Sequence, residues 1–199
     1  EYIKIREGDP IPGVMPILAG LGSPQEMKVH DEKWHTENFM WGNSRTRRKD
    51  FWNKEVAQKW TETMDKMRTR LISCYNCPMK CGASISVPGV STYMMKCYSK
   101  LTYTMAAYSD LDFGFKIAKR ATEYGVDGFS TPQVMAFALE LYEAGILTDE
   151  DLPGMPPDTE GRFYWMLDRI VRREGIGDIL ANGTYWAAQQ IGKGAEEYA

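Results

Sequence analysis

The sequence predicts a mainly α protein with an irregular N-terminal stretch, and three observations carry that prediction. Residues 54–72, "KEVAQKWTETMDKMRTRLI", contain no Gly or Pro and place Val56, Trp60, Met64, Met67 and Leu71 at spacings of three and four. The second half repeats helix punctuation, with Gly125 and Gly145 as stops and "STPQ" (Ser130 to Gln133) as a start. Only "ASISVPGVSTYMM" alternates and carries β-branched residues in the manner of an extended segment.

The elements follow in order. Residues 1–53 are rich in Gly, Pro, Asn and charge, with "DPIPGVMP" and "GLGSP" as breakers, and form a loop-rich lead-in. Residues 54–199 form a helical domain. Its first helix runs from Lys54 to about Ile72. One short extended segment follows, with Pro88-Gly89 as its turn. A helix over Leu111–Tyr124 stops at Gly125. The next is capped by Ser130 or Thr131, has Pro132 in its first turn, and runs to Ala144. After the loop "TDEDLPGMPPDTEG", helices near Arg162–Arg173 and Asp178–Ile191 are separated by "EGIG".

Composition narrows the class of function. The 199 residues are 43% hydrophobic and 26% charged, which is the range of a globular chain with a substantial core. A net charge of −3 argues against nucleic acid or an anionic membrane as partner, and the basic run "RTRRK" (Arg45 to Lys49) reads as a solvated loop. No apolar stretch reaches the roughly 18 residues of a membrane span. The N-terminus has no signal-peptide pattern, and both ends read as cut, so the expectation is an internal piece of a longer protein.

Three of the four cysteines, Cys74, Cys77 and Cys81, fall within eight positions, and Cys97 stands sixteen residues further on. Four cysteines are too sparse for a disulfide scaffold, and the clustered ones are too close in sequence to pair easily with one another. A reducing, cytoplasmic compartment and a metal are expected instead. The Cys-x2-Cys-x3-Cys spacing lets three thiolates converge on one site. Zinc would require a fourth ligand nearby, yet the two histidines, His30 and His35, lie far upstream. A 4Fe–4S cluster often takes its fourth ligand from a remote segment, which favours iron–sulfur over zinc and over three buried thiols. For Cys97, the residues alone favour a small buried hydrophobe.

"CYNCPMKCGA", then "ATEYGVDGFSTPQVMAFALELYEAGILTDED", then "REGIGDILANGTYWAAQQIGKGAEEYA", taken in that order, resemble the aldehyde ferredoxin oxidoreductase family of tungsten–pterin enzymes. The resemblance runs from about Thr61 to the end and is to the family's central helical domain. It implies that Cys74, Cys77 and Cys81 bind a 4Fe–4S cluster whose fourth ligand comes from a later domain. It also implies a pterin contact at "TEYGVD", with Tyr124, Gly125 and Asp127 as the cofactor-binding residues. There Gly125 and Asp127 match the family's Asp-x-x-Gly-Leu-Asp/Cys pattern, while Thr122 and Val126 depart from it.

Two further departures narrow the resemblance. Some members bind a dimer-bridging iron with Glu-x-x-His, and here that place is "KIAK", Lys116 to Lys119. Where aldehyde-oxidising members carry a Glu, this chain has Cys97 between Lys96 and Tyr98, and a thiolate suits tungsten as a soft ligand. "YMMKCYSKLTYTMAAYSDLDFG" resembles the branch of the family that dearomatises a benzoyl ring, the tungsten subunits of class II benzoyl-coenzyme A reductases.

The resemblance thus implies a tungsten bis-pterin with Cys97 as protein ligand to the metal, and reduction of an aromatic acyl-CoA to a cyclic dienoyl-CoA. An electron-delivering ferredoxin or iron–sulfur subunit in a hetero-oligomer belongs to the same expectation. Protons need positioned acids, for which Glu26 and His35 are the candidates, with His30 in reserve. Trp34, Phe39, Trp41 and Tyr98 are candidate walls for the ring. Three alternatives stand beside this reading: oxidation of an aldehyde to a carboxylate, an iron–sulfur electron-transfer module without tungsten, and a structural zinc domain. No phosphate-cradling Gly-rich loop marks a coenzyme A site.

Overall fold

The computed structural model describes residues 54–76, 82–87, 90–96, 103, 107 and 110–199. These fall into two units, 54–96 and 103–199, each with its own elements. Glu26, His30, His35, Cys77, Cys81 and Cys97 lie outside the described residues, as do Trp34, Phe39, Trp41 and Tyr98.

The first unit opens with helix α1, Lys54–Met67, which has Glu55 in its first turn and Lys66 in its last, both favourable to the helix dipole. The helix ends five residues earlier than its apolar spacing predicts, and Arg68–Ile72 is a strand, β1. Thr69 and Ile72 are β-branched, and the ladder to the next strand outweighs continued helical bonding. Thr69 Oγ1 also donates to the Ser84 carbonyl at 3.1 Å.

The single extended segment expected after the cysteines is two strands, β2 (Gly82–Val87) and β3 (Val90–Lys96). They pair antiparallel as a hairpin, and the Val87–Val90 pair leaves only Pro88 and Gly89 between them. The sheet order is β1-β2-β3. Along the central strand Ala83, Ile85 and Val87 are buried while Ser86 is exposed, the period-2 pattern of a strand with one apolar face.

The second unit is helical. Asp110 caps helix α2, Leu111–Tyr124, by accepting from the Phe113 N–H at 2.9 Å. Helix α3 is Ser130–Glu143, and α4, Thr159–Arg172, is capped by Asp158. The single helix expected over Asp178–Ile191 is two, α5 (Ile176–Leu180) and α6 (Thr184–Ile191). Gly183, at φ 87°, breaks them apart in a conformation that a helix does not use. A short 3-10 turn, Ala195–Tyr198, closes the chain.

The core lies where α2, α3 and α4 present their apolar stripes to one another. Phe113, Ile117, Met135, Leu141, Phe163, Met166 and Leu167 are all sealed from solvent. Phe113 meets Phe163 and Tyr164 edge to face, with ring centroids 6.1 and 5.7 Å apart. This packing sets the position of the turn between α2 and α3, on which the candidate site is built.

Candidate cofactor site

Helix α2 has to stop before α3 can pack back against it, and Gly125 provides the stop. It adopts the left-handed conformation, φ 73° and ψ 22°, which a side chain would oppose. Its N–H donates to the Thr122 carbonyl, and the Val126 N–H donates to the Ala121 carbonyl, both at 3.1 Å. That pair of bonds is a Schellman closure, with Val126 packed against the core.

Asp127 then starts α3. Its Oδ1 accepts from the Phe129 N–H at 3.0 Å and from both the N–H and the hydroxyl of Ser130 at 2.6 Å. The expected cap, Ser130 or Thr131, is thus replaced by a residue further upstream. The residue at the helix boundary, Phe129, has no side chain to offer the free N–H groups. The Ser130 hydroxyl first, and the backbone N–H groups after it, hold the Asp127 carboxyl below the usual carboxylate range. Asp127 is therefore an exposed anion at neutral pH.

Tyr124, the last residue of α2, is fastened to α4. Its hydroxyl donates to Asp168 Oδ1 at 2.9 Å and accepts from Arg120 Nε and Nη2 at 3.2 and 3.1 Å. Arg120 Nη2 also donates to both Asp168 oxygens, at 2.8 and 2.9 Å. Thr122, which departs from the family's Asp, spends its hydroxyl on the Ala118 carbonyl of its own helix at 2.8 Å.

Tyr124 and Asp127 line one cavity of about 370 Å³, roofed by the ends of α4 and α5. Val126, Val134, Ile170 and Leu180 make its apolar surface, while Asp127, Ser130 and Arg173 bring charge and hydrogen-bonding groups. Its size and its mixture of an apolar wall with a few polar groups are those of a small-molecule site. The structure thus brings Tyr124, Gly125 and Asp127 together on one turn. Ser130, expected only as a helix cap, and Arg173, not singled out at all, are further residues that line this cavity. Arg173 carries no legible signal, because only the packing of α4 brings it to this cavity.

The cysteine loop belongs to the first unit. Cys74 is exposed just beyond β1. Ile72 pairs with Gly82, so residues 73–81, with all three clustered cysteines, form the closed connection of one antiparallel pair. Gly82 in turn pairs with Lys96 on β3. The three strands therefore end in one row, Ile72, Gly82, Lys96, and the residue after Lys96 is Cys97. At the "KIAK" position, Lys116 and Lys119 pair with Asp112 and Glu123, one turn away on α2, and offer no ligand to a metal.

Comparison with known proteins agrees with this architecture. Residues 4–199 match the family model for aldehyde ferredoxin oxidoreductase, domains 2 and 3. A tungsten-containing aldehyde ferredoxin oxidoreductase of Pyrococcus horikoshii is 36% identical over 127 residues, covering 59% of this chain and 21% of that protein. An aliphatic sulfonate oxidoreductase, WOR-like subunit, of Pyrococcus furiosus is 37% identical over 125 residues, with 59% and 20% covered. In a solved structure of the active site complex BamBC of benzoyl coenzyme A reductase with 1,5-dienoyl-CoA, one chain is 76% identical. That match has a TM-score of 0.80 and covers 99% of this chain and 30% of the other. The present chain thus spans about a fifth of the length of the curated relatives it matches. With its motifs, its helical core and 196 matched positions in agreement, the chain belongs to the aldehyde ferredoxin oxidoreductase family.

Proposed function

We propose that this chain is the cofactor-binding part of a tungsten–pterin oxidoreductase that reduces an aromatic acyl-CoA, of the benzoyl-CoA class, to a cyclic dienoyl-CoA. The observation that carries the reading is the 76% identity, over 99% of the chain, with a protein solved as a benzoyl-CoA reductase bound to a dienoyl-CoA. Relatives named as tungsten-containing aldehyde ferredoxin oxidoreductases are 32% to 36% identical and match only 59% to 60% of the chain.

The residues present fit the groups this reading requires. A pterin presents a flat ring with an N–H-rich edge, and the α2–α3 turn offers an ionised Asp127 beside an exposed ring, Tyr124, in a cavity of adequate size. Gly125 keeps the turn tight enough for both to face one ligand. The Cys-x2-Cys-x3-Cys spacing supports a 4Fe–4S cluster on Cys74, Cys77 and Cys81, and it falls in the connection between the paired Ile72 and Gly82. Cys97, next in sequence after Lys96 of β3, is read as the protein ligand to tungsten, a role that its soft thiolate supports.

When bound, the tungsten–pterin and the cluster supply low-potential electrons. In this reading the chain does the rest. Cys97 tunes the metal through a soft donor, while His35 and Glu26 hold the protons that saturate ring carbons. The net change adds two electrons and two protons to the aromatic acyl-CoA. The donor is a ferredoxin or an iron–sulfur subunit in a hetero-oligomer. A cytoplasmic setting follows from the use of cysteine for metal rather than for disulfides. Among the described residues, no helix is long and apolar enough to cross a membrane.

The test is tungsten, iron and zinc per chain in the holoprotein purified without oxygen, followed by incubation with benzoyl-CoA and a low-potential reductant. About one tungsten with at least four irons, and appearance of the cyclic diene, are expected. Iron without tungsten would reduce the protein to an electron carrier. Zinc alone would overturn the cluster assignment. Oxidation of aldehydes with no diene formed would favour the aldehyde oxidoreductase reading.

A further inference from the structure

We propose that Tyr124 recognises its ligand through its ring alone, as a fixed wall for a planar heterocycle, and that Arg120 and Asp168 are the positioning residues that hold it. The proposal rests on the pterin reading of the α2–α3 cavity.

A tyrosine hydroxyl offers one donor and two acceptor lone pairs. All three are used inside the protein, the donor on Asp168 Oδ1 and the lone pairs on Arg120 Nε and Nη2. No hydrogen-bonding capacity of that hydroxyl remains for a bound molecule. Yet Tyr124 lines the cavity and is 39% exposed, one of the few large apolar side chains of the described residues left open to solvent. What it presents is a ring.

The partners that occupy the hydroxyl are themselves fixed. Arg120 Nη2 donates to both oxygens of Asp168, so the carboxylate is held on two oxygens. The Arg120 guanidinium lies 5.5 Å from the Tyr124 ring centroid and 5.6 Å from that of Tyr164, so it is packed between aromatics as well as bonded. A ring pinned at its far end by three bonds gives up little freedom when a ligand stacks on it, which makes the contact more favourable. One residue of the turn, Asp127, then reads the polar edge of the heterocycle, and the other, Tyr124, reads its face.

The experiment measures pterin retained per chain after gel filtration of the anaerobically purified holoprotein, from the fluorescence of the oxidised pterin, with tungsten counted in parallel. Tyr124→Phe is expected to retain an intermediate amount, since the ring stays but the three bonds that pin it are lost. Tyr124→Leu is expected to retain about a tenth, the loss of one aromatic contact. Asp168→Asn is expected to fall between the wild type and Tyr124→Phe, because the anchor weakens while the two bonds from Arg120 remain.

Loss of pterin in Tyr124→Phe to the level of Tyr124→Leu would overturn the proposal, because the hydroxyl would then be the contact. Full retention in Tyr124→Leu would overturn it as well. Asp127→Asn separates this proposal from the reading beneath it. Pterin loss there without loss in Tyr124→Leu would remove the ring proposal alone. Unchanged pterin in both variants would remove the pterin from this cavity altogether.

Discussion

Gly177 on α5 lies so close to the end of α4 that a β-carbon there would fall 2.2 Å from the carbonyl carbon of Arg169 and 2.7 Å from the Ile170 nitrogen. Both are backbone atoms and have no rotamer into which to retreat. Gly177→Ala is therefore expected to push α5 off α4 and to destabilise the helical unit by about 3 kcal/mol. Gly194→Ala is the comparison. It meets nothing within 4 Å and carries only the strain of a left-handed conformation, φ 85° and ψ 11°, about 1 kcal/mol. Thermal unfolding of the two variants measures the difference, and equal midpoints would refute the close approach.

Asp127 caps α3, so Asp127→Ala should cost about 1 kcal/mol at neutral pH. The carboxyl is held below its ordinary range in the folded state, chiefly by Ser130. Its contribution is thus complete above the unfolded value, near pH 4, and is lost as pH falls through the lowered folded value. The stability gap between wild type and Asp127→Ala should stay constant from pH 7 to about pH 5 and narrow in stronger acid. A gap that stays open at pH 2 would rule out ionisation as its source.

Tyr103 is fully buried, and among the described residues its hydroxyl finds no hydrogen-bond partner. Burial pushes its phenol far above the usual range, the charge of Asp127 adds to the rise, and nearby Thr131 opposes it only in part. Tyr103→Phe keeps the packing and removes the stranded polar atom. The expected result is a gain of about 1 kcal/mol, read as a higher unfolding temperature. A loss of similar size would mean that the hydroxyl is satisfied in solution.

The Arg120–Asp168 pair joins α2 to α4 across forty-eight residues of sequence, with side chains 42% and 33% exposed. Water screens it, so a double-mutant cycle with Arg120→Met and Asp168→Asn should give a coupling of about 1 kcal/mol, although Arg120 Nη2 reaches both carboxylate oxygens. A coupling near zero would show that packing of Tyr124 and Tyr164, rather than charge, holds the two helices in register.

The features legible in the chain alone were local ones. The start of α2 at Leu111 and its stop at Gly125 are legible, whereas α4 starts at Thr159, three residues before the expected Arg162, because Asp158 caps it there. The helix over residues 54–72 was read too long, since periodic apolar residues cannot show that Arg68–Ile72 has a better hydrogen-bonding partner in β2. Asp178–Ile191 was read as unbroken although Asn182-Gly183 is a turn signal, and the break falls there, at Gly183.

The order of the cysteines, the "TEYGVD" turn and the family were determined by the sequence, because thiolate spacing and turn chemistry act over a few neighbouring residues. Tertiary structure alone decided that Ile72, Gly82 and Lys96 end in one row, that Arg173 reaches the cavity of Tyr124 and Asp127, and that Asp168 takes up the Tyr124 hydroxyl. Each of those juxtapositions depends on strand register or helix packing between residues far apart in the chain. Such contacts form only after loop closure, and no local pattern encodes which of them will be made.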